Sequence, residues 1–114
     1  MVTAETAVVI PVLVVVAVAL VWVVGLGIAQ VRCLDAAREG ARLAARGEPD
    51  SAVHAAVERS APHGSAVTVA TEDGEVTVTV SVQAVPDLPL LGGLPGVQLD
   101  ASATAALEDS GARP

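Results

Sequence analysis

The sequence predicts an α+β chain: a long N-terminal transmembrane helix that continues into a short helix and a small antiparallel three-stranded sheet. Three observations carry this. The run TAVVIPVLVVVAVALVWVVGLGIAQV, Thr6 to Val31, has no charge, and about 20 apolar residues in a helix suffice to cross a bilayer. The next residues, QVRCLDAAREGARLAAR, keep strong helix formers going. Beyond residue 65 the pattern switches to strict alternation, the period of a strand with one face buried. The expected organisation is a membrane and juxtamembrane helix over 1–47, a small α+β domain over 48–108, and a frayed polar tail over 109–114.

The helix begins with Thr3 as a candidate N-cap and Glu5 in its first turn, where the positive end of the helix dipole favours a carboxylate. Pro11 lies within the span, removes one backbone hydrogen bond and predicts a bend. Gly25 and Ala29 form a small-xxx-small pair that would let another helix approach closely. Past the span, Asp35 with Arg38 and Glu39 with Arg42 are spaced for surface pairing. Leu34, Ala37, Ala41 and Ala44 line a small-residue face. Gly47 and Pro49 end the helix, which would measure about 65 Å at 1.5 Å per residue.

Asp50 or Ser51 is expected to cap a second helix, SAVHAAVERSA, that Pro62 and Gly64 stop. Strand AVTVAT meets the turn Glu72-Asp73-Gly74, a strong hairpin signal. Strand EVTVTVSVQAV puts Val76, Val78, Val80 and Val82 on one face and Thr77, Thr79, Ser81 and Gln83 on the other. Pro86 to Gly96, with Leu88, Leu90, Leu91 and Leu94, is expected to be an apolar loop. Val97 to Leu107 makes the third strand, with Val97, Leu99, Ala101 and Ala103 on one face.

Composition removes several function classes. The formal charge of the 114 residues is −7, from 13 acidic and 6 basic side chains, all Arg, and there is no Phe or Tyr. Such a chain lacks both the cationic surface and the stacking platform that nucleic acid requires. No nucleophile elbow, phosphate-cradling glycine pattern or metal-ligand spacing occurs, so neither an enzyme nor a cofactor is expected. Glu72, Asp73 and Glu75 form an acidic turn short of a Ca²⁺ ligand set; His54 and His63 are expected at the surface. Cys33 is the lone cysteine. It is expected as a small buried or interfacial residue, or as a disulfide across a pair of helices.

The acidic start MVTAE and the long apolar run favour a retained span over a cleaved signal, for which Gly27-Ile28-Ala29 would have to serve as the cleavage site. Arg32, Arg38, Arg42 and Arg46 follow the span, and the positive-inside rule would place the C-terminal side in the cytoplasm. Glu5 is the most informative charge. A carboxylate at the edge of a span needs headgroups or a partner. In a bundle, the N-terminal amine of another copy would match it and set the axial register.

Met1 followed by Glu5 at the fifth position and a long apolar helix resembles the start of mature pilin-like proteins. Ala4-Glu5, Pro11 and the apolar run resemble TadE-like proteins of tight-adherence (type IVb) pilus systems, as does Ala36-Ala37-Arg38-Glu39-Gly40-Ala41-Arg42, the most specific stretch. The Ala-x-Ala-x-Ala stretch from Ala101 to Ala105 fits as well, and the likeness is to the actinobacterial type. The resemblance implies a lollipop-shaped minor pilin or pseudopilin. It also implies processing by a prepilin peptidase before Met1, membrane lipid around the helix, and an extracytoplasmic head, opposite to the Arg-based orientation. Its partners would be other pilin or pseudopilin subunits and the pilus assembly platform. No leader precedes Met1 in the sequence, so a processed first residue and a start codon both stay open. The rival function is a monomeric single-pass membrane protein whose small domain binds a cell-envelope or secretion partner.

Overall fold

An uninterrupted helix, α1 (Val2–Ala45), dominates the chain. The computed structural model describes residues 2–85 and 96–107. It adds α2 (Asp50–Ser60) and three strands, β1 (Ala66–Glu72), β2 (Glu75–Ala84) and β3 (Val97–Ala106). The strands pair antiparallel in the order β1-β2-β3, and the molecule is elongated, 84 × 20 × 20 Å. The α+β arrangement expected from the sequence is therefore the one observed. The expected apolar loop from Pro86 to Gly96 lies, apart from Gly96, outside the described residues, as does the polar tail.

The end of α1 follows from its glycine. Gly47 sits at φ +85, the left-handed region that costs glycine nothing. Its N–H donates to the Ala44 carbonyl at 3.0 Å and that of Glu48 to the Leu43 carbonyl at 3.1 Å. This paired pattern satisfies the last helical carbonyls. In α2 the capping differs from expectation. The N-cap is Pro49, whose carbonyl accepts from Ala52 and Val53, and no side chain caps the helix. Asp50 instead lies in the first turn, where it acts on the helix dipole.

The β1–β2 turn takes the form its Asp-Gly pair dictates. Asp73 and Gly74 both have positive φ, 52 and 79, between the paired Glu72 and Glu75. That is the two-residue hairpin turn whose twist matches the strands. The Leu107 N–H donates to the Gly74 carbonyl at 2.8 Å, tying the end of β3 to the same turn.

The core lies between the C-terminal half of α1, the helix α2 and one face of the sheet. Val76, Val78, Val80 and Val82 of β2 are buried, as the alternation predicts. Val67 and Val69 of β1 and Leu99, Ala101, Ala103 and Ala105 of β3 complete that face; Val97 shares it by alternation but is exposed at the sheet's end. On the opposite face the Thr77 and Thr104 hydroxyls meet at 2.9 Å and those of Thr79 and Ser102 at 3.2 Å. The largest fully buried side chains are valines and Cys33. At about 1.5–3 kcal/mol for a fully buried side chain of this kind, such a core stabilises only modestly.

Candidate assembly helix

The sequence of α1 has two halves with opposite surroundings. From Val8 to Val31 most of its large apolar side chains face outward: Val8 is 66% exposed, Val15 67% and Val21 72%, while Val18, Trp22 and Leu26 are half-buried. None of the most apolar stretch is buried within the molecule, and the helix is long and apolar enough to cross a membrane. From Cys33 onward one side of the same helix becomes core. Cys33, Ala36, Ala37, Gly40, Ala41 and Ala45 are buried, while Arg38 and Arg42 point to water.

The AAREGAR stretch divides its letters between these sides. Ala36, Ala37, Gly40 and Ala41 form the wall against α2 and the sheet. At Gly40 the approach is closest: a Cβ there would stand 2.7 Å from Cγ2 of Val57 and 3.1 Å from Cγ1 of Val78. Only a residue without a side chain fits. On the wet side Arg42 pairs with Glu39, one helical turn away. Asp35 and Arg38 do not pair.

The residues singled out from the sequence lie in the apolar half or at its border. Glu5 is exposed in the first turn of α1 and has no ion pair among the described residues. Pro11 is accommodated inside the continuous helix. Gly25 is exposed, and a Cβ there would meet nothing within 4 Å; nothing among the described residues requires glycine at that position. Ala29 is half-buried. Met1 lies outside the described residues. The structure does not bring these positions together within one chain; they are spread along one helix. Among the described residues no group of His, Cys, Asp or Glu is arranged to hold a metal ion.

At the border, the Gln30 side chain donates from Nε2 to the Asp100 carbonyl of β3 at 2.8 Å. Cys33, one turn on, is fully buried. Burial pushes its thiol above the ordinary range; Arg32 lowers it and Asp100 raises it further. The thiol is therefore protonated and shielded at neutral pH. The linkage sign follows. A raised pKa stabilises the fold fully below the unfolded thiol's pKa, and that contribution is lost as pH rises through the folded one. Folded protein is expected to react with iodoacetamide at least 10-fold more slowly than urea-unfolded protein at pH 8, measured by mass spectrometry. Equal rates would contradict the burial.

The model of the family described as TadE-like protein matches residues 1–42, the whole apolar half together with the AAREGAR stretch. A curated relative, "Apoptosis inhibitor Rv3655c" of Mycobacterium tuberculosis (strain ATCC 25618 / H37Rv), is 47% identical over 64 residues, covering 54% of this chain and 50% of the relative. The chain thus spans about half the length of that relative. No solved structure matches. The likeness to the TadE-like family is thus to the N-terminal 42 residues, the segment that builds nearly all of the long helix.

Proposed function

We propose that this chain is a structural component of a tight-adherence type IV pilus, a minor pilin or pseudopilin that associates with other subunits through the first half of α1. One observation supports this most. Most of the apolar surface from Val8 to Val31 is exposed in the folded chain, with Val18, Trp22 and Leu26 half-buried, and it lies inside the segment matched by the TadE-like family. Lipid covers such a surface in the membrane; neighbouring helices cover it in an assembly. Gly25 and Ala29 are the close-approach positions, Pro11 shapes the helix, and Glu5 sets the register. Processing by a prepilin peptidase at Met1 and an extracytoplasmic head belong to the same reading, as does contact with the assembly platform.

The test is Gly25→Leu. The folded chain has open space at that position, so the head and the membrane insertion are expected to survive. Helix association in a bilayer rests on close packing worth about 1–2 kcal/mol, so recovery in the sheared filament or assembly-platform fraction is expected to fall about 10-fold. Unchanged recovery contradicts helix bundling at this face. A second reading, a partner-binding head on a single anchor, is favoured by the name of the relative, an apoptosis inhibitor. Under it the chain never enters the filament fraction, with or without the substitution.

A further inference from the structure

Two contacts fix the height of the sheet along α1. Gly40 lies against Val78, and Val78 is paired with Ala103. Ten residues earlier, Gln30 holds the Asp100 carbonyl. Ten helical residues rise about 15 Å, and the three from Ala103 back to Asp100 span about 10 Å. Strand β3 therefore runs beside α1 in the same direction. Its first residue, Val97, lies a further ~10 Å towards the N-terminus of α1. That is about two helical turns below Gln30, level with the final turns of an apolar run that ends at Val31. The sheet overlaps the run instead of standing clear of it.

A second observation is independent of that geometry. Outside α1, the exposed large hydrophobic side chains among the described residues are Val85, at 51%, and Val97, at 38%. They flank the two ends of the β2–β3 connection, so both sit at this same low end. The opposite end of the sheet carries the exposed acids Glu72, Asp73 and Glu75. The two exposed valines thus lie where the head overlaps the span, among the exposed polar side chains of Gln83, Gln98 and Asp100, and the acids of the hairpin turn lie farthest from it.

We propose that the low end of the head rests in the lipid interface, with Val85 and Val97 forming a second membrane contact beside α1. The inference rests on α1 spanning the bilayer. The occupant is lipid, because these side chains share the height of the helix surface that lipid covers. The headgroup level also hydrates the backbone groups at strand ends, which the hydrocarbon interior would not. The contact holds the head at one orientation to the membrane, and the chain must release it to leave the bilayer.

The test uses the full chain with Cys33→Ala, reconstituted in phosphatidylethanolamine–phosphatidylglycerol vesicles. A fluorophore is attached through Val97→Cys, Val85→Cys or, as the far-end control, Asp73→Cys. Quenching by nitroxide lipids labelled near the headgroup is compared with quenching by aqueous iodide, and Trp22 reports insertion of α1 through the same lipids. Probes at 97 and 85 are expected to be quenched several-fold more by lipid, and several-fold less by iodide, than the probe at 73. If all three probes behave alike while Trp22 stays lipid-quenched, the inference fails and the membrane reading survives. Loss of lipid quenching at Trp22 overturns both. Shielding from iodide that grows with protein density, without lipid quenching, identifies a second copy as the occupant and also overturns the proposal.

Discussion

Gly40→Val is expected to lower the unfolding temperature of the head by about 10–20 °C, a loss of about 2–3 kcal/mol for a domain of this size. The cause is space. Even a Cβ at position 40 would stand 2.7 Å from Val57 and 3.1 Å from Val78, and both of those valines are completely buried. Valine has one stiff rotamer in a helix and cannot swing away, so α2 must move off α1. Overpacking of this kind costs about 1–3 kcal/mol, and a core made of valine and alanine has little stability to lose. Gly40→Ala is a milder case, because alanine's helix propensity gains about 1 kcal/mol against the clash. Adding Val57→Ala to Gly40→Ala is expected to recover part of that loss, as coupled neighbours do. Cys33 supplies the readout. It is buried in the same core, so its alkylation tracks opening of the head and is expected to accelerate about 30- to 150-fold in Gly40→Val. Unchanged alkylation and an unchanged melt would mean that α1 and α2 do not pack at Gly40.

Much of this fold was legible because its signals are local. The Asp73-Gly74 pair dictates a hairpin by its φ requirements, the Val–Thr alternation of β2 names the buried face, and Gly47 ends α1. The helix wall was seen only in outline. Leu34, Ala37, Ala41 and Ala44 were the expected face, and all four lie in or against the core, but the wall is centred on Cys33, Ala36, Ala37, Gly40 and Ala41. Alanine on nearly every side of a helix leaves no hydrophobic contrast to orient it. The polar residues do orient it: Asp35, Arg38 and Arg42 mark the wet side, and Gly40 lies opposite. The cap of α2 was misplaced because Asp50 and Ser51 have the chemistry of caps, yet Pro49 already fixes the extended geometry that precedes a helix. The bond from Gln30 to Asp100 joins residues 70 apart in sequence, and no local pattern encodes it. The apolar half of α1 was legible for a different reason: most of its large side chains face away from the described residues, so its composition alone describes its surroundings.

Glu5→Lys is expected to leave the chain in the membrane at its normal level and to remove it from the assembled fraction. Two accounts of Glu5 differ in magnitude. If the carboxylate only complements the helix dipole, losing it costs about 0.3–1 kcal/mol, less than about 6-fold in any equilibrium. If it pairs with the N-terminal amine of a neighbouring copy inside a bundle, the substitution leaves an uncompensated amine and adds a second positive charge beside it. Breaking a buried pair costs about 3–5 kcal/mol, which is roughly 100-fold or more in association. The exposure of Glu5 in the isolated chain, at the leading edge of an uncovered apolar helix, is what a between-chain pair requires, since a group already satisfied within its own chain has nothing to offer a neighbour. Glu5→Gln separates the charge from the shape: it keeps the side-chain length and is expected to fall between wild type and Glu5→Lys. The measurement is the ratio of assembled to membrane-bound protein by immunoblot for the three chains. A ratio within 6-fold of wild type for Glu5→Lys would reduce Glu5 to a helix cap, and the register of the bundle would then have to come from Gly25 and Ala29.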